Sequence, residues 1–166
     1  MRNVLFLCTA NSARSILAEA ILAERGAGRF RAFSAGSQPR GEPHPLAIAL
    51  LAARGSDTTA LRSKSWTEFA LPGAPAMDLV ITVCDNARGE SCPIWPGHPA
   101  QAHWGIPDPA GLGHPGELAA FALAHARLTE RIDALLALDE THLDTRAWRD
   151  AVVAIGRQAE GATGHD

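Results

Sequence analysis

The fold is decided near the N-terminus by residues 4–15, which read VLFLCTANSARS. The first four of these residues are apolar and give way at once to polar ones, which is the pattern of a buried parallel strand. From Ser15 the apolar residues recur at helical spacing, and they stop at Gly26, a residue type that commonly follows a helix. The sequence therefore begins with a strand, a tight loop and a helix.

The same alternation continues along the chain. Patterning predicts further strands over 30–33, 79–83 and 102–106, helices over 45–54, 117–138 and 148–158, and a helical turn within 63–69. Alternating strands and helices indicate the α/β class, with a parallel sheet covered on both faces and ligands bound at the carboxyl ends of its strands. With 166 residues the chain fits a single domain, over 1–160, and we expect 161–166 to be a disordered tail.

Composition excludes several classes of function. The 15 Lys and Arg residues against 18 Asp and Glu leave a net charge of -3, so no broad basic surface is available for nucleic acid. No apolar stretch approaches the roughly 20 residues of a membrane span, and we expect a cytoplasmic protein with no membrane partner. Three cysteines are too few for a disulfide scaffold, which favours free thiols. Lys64 is the only lysine, and we attach no function to it.

The loop between the first strand and the first helix carries the chemistry. It starts with Cys8 and reaches Arg14 at the start of the helix. Small or hydroxylated residues make up the rest of the stretch: Thr9, Ala10, Asn11, Ser12, Ala13 and Ser15. Such a loop can turn successive backbone N–H groups inward and bind a tetrahedral oxyanion at the helix N-terminus. Arg14 can then grip two oxygens of the anion.

The same positive field should favour the thiolate of Cys8. A helix N-terminus and a neighbouring cation can lower a thiol pKa from about 8.5 to between roughly 3.5 and 7.5, which would make Cys8 a nucleophile at neutral pH. Ser15 can add a hydrogen bond to that thiolate, and Asn11 tolerates the left-handed backbone of a tight loop. The alternative is a buried strand cysteine with no chemistry, beside a solvated Arg14.

Residues 4–15 resemble the phosphate-binding loop of the low-molecular-weight protein tyrosine phosphatase superfamily. The resemblance implies a four-stranded parallel sheet flanked by helices, a loop cysteine that attacks the anion, and an Asp-Pro that supplies a general acid. The one Asp-Pro here is Asp108-Pro109. The alternative is that Asp108 only starts a turn. The resemblance also suggests a potassium site formed partly by Asn11, Glu19 and Ser34.

Two further cysteines distinguish reduction from hydrolysis. Cys84 ends the strand over 79–83 and should emerge at the same sheet edge as Cys8, while Cys92 lies in the loop that follows. Arsenate has nearly the shape and charge of phosphate, but As(V) bound to sulfur can leave as As(III) when a second thiolate attacks that sulfur. The arrangement predicts a relay in which Cys8 forms an arsenate adduct, Cys84 attacks Cys8 and expels arsenite, and Cys92 attacks Cys84.

Three segments carry a closer resemblance, to the arsenate reductase branch of that superfamily. They are VCDN at 83–86, CPIWPG at 92–97 and HWGIPDP at 103–109. The chain also has no tyrosine, so Ala110 and Gly111 follow the Asp-Pro where phosphatases usually place tyrosines. The resemblance implies a detoxifying enzyme of arsenic resistance that reduces arsenate, with phosphate or sulfate as mimics, through a redox-active disulfide passed to thioredoxin. It implies no tightly bound cofactor.

Four alternatives remain open at this level. Cys92 could be passive, with glutathione and a glutaredoxin supplying the electrons as external thiol reductant. The protein could hydrolyse phosphate esters, or it could be a non-catalytic oxyanion sensor. A zinc site is the fourth alternative, with the candidate ligands Cys84, Cys92, His98 and His103, although their spacing matches no compact zinc knuckle.

Overall fold

The computed structural model describes residues 1–84, 95, 99–110 and 116–163, with side chains to residue 157. The strands are β1 (Arg2–Leu7), β2 (Phe30–Ala35), β3 (Leu79–Thr82) and β4 (Ala100–His103). The helices are α1 (Arg14–Arg25), α2 (Pro45–Ala53), α3 (Gly116–Leu136) and α4 (Thr145–Thr163), with a 3-10 turn at Trp66–Phe69.

The four strands form one parallel sheet in the order β2-β1-β3-β4, as expected for an α/β domain. The first strand is central, with Leu7 paired to Ala35 of β2 on one side and to Thr82 of β3 on the other. A central parallel strand is buried on both faces, which explains its unbroken apolar run. The loop that leaves β1 therefore has the ends of two other strands beside it.

Apolar side chains cover both faces of the sheet. On one face, Val4 and Phe6 belong to a large core with Trp104, Phe121 and Trp148, to which α1, α3 and α4 contribute. On the other face, Leu5 and Leu7 pack in a smaller cluster with further apolar residues, namely Ala35, Phe69, Met77, Val80 and Trp95. In the part of the chain that the structure describes, no α-helix covers this second face.

The predicted elements all form, but most of their boundaries differ by one or more residues. The fourth strand was expected over 102–106, whereas its ladder with β3 covers Ala100–His103, and only single backbone bonds from Trp104 and Ile106 follow it. The last helix continues to Thr163, so 161–163 are helical where a disordered tail was expected, and 164–166 lie outside the described residues. Trp148, Val152 and Ile155 anchor that helix in the core. Within the described ranges, none of the helices is both long and apolar enough to cross a bilayer.

Candidate active site

The loop of residues 8–13 lies where the sequence predicts it, between the carboxyl end of β1 and the N-terminus of α1. Arg14 is the first residue of α1, and Ala13 before it provides no side-chain cap. The first amides of an α-helix have no partner within the helix, so they remain available to an anion. Asn11 has a φ of 45°, which confirms the predicted left-handed backbone.

Three carbonyl groups of this loop are bound by a neighbouring segment of the chain. Three backbone amides of the segment 37–44 donate hydrogen bonds to the carbonyls of Thr9, Ala10 and Ser12, with N···O distances of 2.8 to 2.9 Å. Among the described residues, none accepts a hydrogen bond from the amides of Ala10, Ser12 or Ala13. These three amides are therefore available as donors, as an oxyanion nest requires.

Gly36 supports the loop from behind. A Cβ atom at this position would lie 2.4 Å from the carbonyl oxygen of Thr9 and 2.6 Å from that of Cys8. Backbone atoms at these distances cannot move aside without distorting the loop. Only glycine therefore fits where β2 ends against the loop.

Asn11 is fully buried and holds the loop from inside. Its side-chain NH2 donates to the hydroxyl oxygens of Ser15, at 2.8 Å, and Ser34, at 3.0 Å. Its side-chain oxygen accepts the backbone N–H of Lys64 at 2.9 Å. Ser15 accepts this bond, and the described contacts include no hydrogen bond from its hydroxyl to Cys8, so the stabilisation of a thiolate by Ser15 stays a prediction.

Cys8 and Cys84 lie together, as expected for residues that end neighbouring parallel strands. Both are free, buried thiols, and Cys84 is the neighbour with the largest influence on the pKa of Cys8. The backbone N–H of Thr9 also donates to the sulfur of Cys84, at 3.4 Å. The second thiol is therefore held at the oxyanion loop itself.

The protonation of Cys8 differs from the prediction. The hydrogen bond with Cys84 and burial raise the pKa of the Cys8 thiol above its ordinary value, and Arg14 only partly opposes them. The sequence predicts a lowered pKa for Cys8, whereas the contacts of the loop without a bound anion act in the opposite direction. The sequence alone could not show that the Cys84 thiol would have the largest influence on Cys8.

Arg14 is held in place by the segment that follows β4. Its Nη1 donates to the carbonyl oxygen of Ile106 at 2.9 Å, and its Nη2 lies 3.7 Å from the carboxylate of Asp108. The Nε of Arg14 is buried and finds no hydrogen-bond partner among the described residues. The side chain is only 14% exposed, so Arg14 is not the solvated residue of the alternative interpretation.

Asp108 combines the two roles considered for it. Its Oδ1 accepts the backbone N–H of Ala110 at 3.0 Å, so Asp108 does start a turn. Its Oδ2 faces Arg14, and the side chain is 57% exposed. The carboxyl group therefore stands at the open side of the loop, where a general acid would act.

Cys92 lies outside the described residues, as does His98, so the third step of the relay stays a prediction. The described residues contain no group of three His, Cys, Asp or Glu side chains placed to bind a metal ion. His103, a candidate ligand in the zinc alternative, is bonded through Nδ1 to the hydroxyl of Thr82 at 2.7 Å.

Sequence reasoning missed the residues that support the loop from outside. These are Gly36, the segment 37–44, the carbonyl group of Ile106 and Lys64. The one available signal was Lys64, a single lysine in a chain whose other cationic side chains are arginines. The other supports act through backbone groups, so the residue type does not indicate them, except at Gly36, where only glycine fits.

Comparison with known proteins agrees with this geometry. The family model described as low molecular weight phosphotyrosine protein phosphatase matches residues 3–147. An arsenate reductase of Bacillus licheniformis is 35% identical over 109 residues, which cover 66% of this chain and 75% of the relative.

Solved structures give the same result. A structure titled as an arsenate reductase in the phosphate binding state superposes with a TM-score of 0.66 at 29% identity, covering 82% of this chain and 98% of that one. A thioredoxin-dependent arsenate reductase of Corynebacterium glutamicum superposes with a TM-score of 0.58 at 28% identity, and the match covers 78% of this chain and 59% of that one. By its sheet, its oxyanion loop and these matches, the chain belongs to the low molecular weight phosphotyrosine protein phosphatase family.

Proposed function

We propose that this protein reduces arsenate to arsenite with its own thiols. The observation that carries the proposal is the pair of free, buried thiols Cys8 and Cys84 at an oxyanion loop, whose Thr9 amide donates to the sulfur of Cys84. Hydrolysis needs only one nucleophile, because water resolves a phosphocysteine. Reduction needs a second thiol within reach of the first sulfur. The arsenate reductases among the relatives support the same activity.

The loop binds the substrate as a tetrahedral anion. The available amides of Ala10, Ser12 and Ala13 and the buried Nε of Arg14 supply the donors. Charge-assisted bonds from a guanidinium to an oxyanion are stronger than neutral ones. Phosphate and sulfate have the same shape and should occupy this site as mimics.

In the first step, the sulfur of Cys8 attacks arsenic. Because the pKa of Cys8 is raised, the thiol gives up its proton as the S–As bond forms. That proton passes to the arsenate hydroxyl, which leaves as water, and Asp108 is placed beside Arg14 to deliver it. A thiol and hydrogen arsenate thus become a thioarsenate ester and water.

In the second step, the sulfur of Cys84 attacks the sulfur of Cys8. The S–As bond breaks and its electron pair stays on arsenic, so As(V) becomes As(III) while two thiols become one disulfide. Arsenite leaves after taking up protons. Cys92 then attacks Cys84, frees Cys8 and forms a disulfide that thioredoxin reduces. The thioredoxin-dependent relative supports this donor over glutathione with glutaredoxin.

A single-turnover experiment tests the proposal. Pre-reduced protein is mixed with excess arsenate without any external reductant, and arsenite and the disulfides are measured by mass spectrometry. We expect about one arsenite per protein and loss of two thiols. Cys84→Ala serves as the control and should release no arsenite. Turnover of a phosphate ester with no arsenite and no thiol loss would show a phosphatase, and tight binding without either reaction would show a sensor.

A further inference from the structure

A buried polar cluster lies beneath the oxyanion loop. The hydroxyl group of Ser34 donates to the carboxylate oxygen Oε1 of Glu19 at 2.5 Å, and Asn11 donates to the oxygen of that hydroxyl at 3.0 Å. Asn11, Glu19 and Ser34 are the residues that the family resemblance suggests as potassium ligands. The structure brings these three together, so their fit to a potassium ion can be examined.

Lys64 already provides a cation in this cluster. Its ammonium nitrogen lies 3.6 Å from the same Glu19 oxygen and donates to the carbonyl oxygen of Arg62 at 2.7 Å. The residue is only 8% exposed. A buried ion pair of this kind neutralises the carboxylate that a potassium ion would need.

The side chain of Asn11 is also not oriented to bind a metal ion. Hard cations bind through oxygen atoms. Asn11 turns its NH2 group toward Ser34, and its only side-chain oxygen accepts the backbone N–H of Lys64. These two bonds, one donated and one accepted, fix the orientation of the amide. A potassium ion would therefore meet N–H hydrogens and an ammonium group, and the residues do not fit it.

We propose that Lys64 replaces the alkali-metal ion with its own ammonium group and acts as a positioning residue for the oxyanion loop. Lys64 contacts this cluster twice, because its backbone N–H donates to Asn11 of the loop and its ammonium pairs with Glu19 of α1. Glu19 accepts from Ser34, and Ser34 accepts from Asn11, so the four residues form a closed ring. Through this ring the ammonium group stabilises the left-handed turn at Asn11.

Burial makes each charge of the pair dependent on the other. Desolvation raises the pKa of Glu19 and lowers that of Lys64, while each charge partly offsets the effect on its partner. Removing one partner of such a pair leaves a buried charge uncompensated. Without the ammonium group, the buried carboxylate of Glu19 should therefore bind a cation from solution, which the natural protein does not need.

The test measures the response of the reduced protein to potassium at constant ionic strength, with choline chloride replaced by KCl. Two readouts are followed, the melting temperature and the affinity for inorganic phosphate, and neither depends on which substrate the enzyme turns over. We expect no potassium response in the natural protein. Lys64→Gln should melt about 10 °C lower in choline chloride and bind phosphate roughly tenfold more weakly. Potassium should restore part of both losses.

Three variants complete the design. Arg62→Gln changes the net charge equally and removes an exposed side chain that is paired with Glu68 and has the smallest of the electrostatic influences on Glu19, so it should respond to potassium far less than Lys64→Gln. Lys64→Arg retains a cation and should restore phosphate affinity without potassium. Glu19→Gln combined with Lys64→Gln removes both charges and should abolish the potassium response.

Two results would overturn the proposal. One is a saturable potassium effect on the melting temperature or phosphate affinity of the natural protein, which requires no variant to fold. The other is a Lys64→Gln protein that responds to potassium no more than Arg62→Gln does.

Discussion

The amide of Thr9 donates a hydrogen bond at 3.4 Å to the sulfur of Cys84, a residue that follows a different strand. A loop that binds anions thus directs one of its own donors at a second thiol. The bond arises because β1 and β3 are parallel neighbours, so the residues that follow them leave the sheet at the same edge. The arrangement brings two reducing equivalents to the place where an oxyanion binds.

Removal of the Cys84 thiol should make Cys8 more acidic. The hydrogen bond with Cys84 is the largest influence that raises the pKa of Cys8, so Cys84→Ala removes the main reason for Cys8 to keep its proton. In the natural protein without a bound anion, alkylation of Cys8 should rise only above pH 9, the ordinary value of this thiol. In Cys84→Ala its midpoint should move to lower pH. Mass spectrometry of the peptide with Cys8 follows the reaction, and an unchanged midpoint would contradict the assigned cause.

Gly36→Ala should damage the oxyanion loop. The added methyl group would lie 2.4 Å from the Thr9 carbonyl oxygen, and such overpacking costs typically about 1–3 kcal/mol of unfolding free energy. Phosphate affinity should fall together with the denaturant midpoint. Gly28→Ala is the matched control, because Gly28 has nothing within 4 Å of the added carbon, and the substitution affects only a backbone with a positive φ of 88°. It should lose about 1 kcal/mol of stability and none of its phosphate affinity.

Arg14→Lys should weaken oxyanion binding although it keeps the charge. The guanidinium bonds the Ile106 carbonyl with one nitrogen and keeps a buried Nε for the ligand, whereas a lysine has a single nitrogen for both tasks. We expect phosphate to bind about tenfold to a hundredfold more weakly, or roughly 1.4–2.8 kcal/mol, by isothermal titration calorimetry. Circular dichroism should show an intact fold. Equal affinity in both proteins would mean that Arg14 contributes charge alone.

Asp108→Asn should remove the general acid and leave the turn at Ala110 intact. The amide oxygen of asparagine can still accept the Ala110 N–H that forms the turn, but the side chain can no longer carry an acidic proton. Phosphate affinity should stay equal or improve, because a negative charge near Arg14 is lost. Arsenite release in a single turnover should slow by about 10²–10⁴-fold. A normal rate would leave Asp108 with the turn as its only role.

The local chain around the first loop was predictable from sequence. An apolar run, a stretch of small residues and a helical repeat identify β1, the loop and α1, because these patterns act through steric effects between near neighbours. The left-handed Asn11 belongs to this group. The position of Cys84 followed from one further rule, that parallel strands end at a common edge. The role of Cys92 stays a prediction.

Only the tertiary structure determined the protonation of the site residues and the contacts that hold them in place. The pKa of Cys8 depends on the thiol of a residue that follows another strand. The side chain of Arg14 is held by a carbonyl group beyond β4. Glu19 comes close to the ammonium group of Lys64 only after folding. Electrostatic energies depend on distance through space and on burial, and residues far apart in sequence determine both. The sequence by itself therefore determined which groups could react, while the packing of distant segments determined where their protons and counter-charges lie.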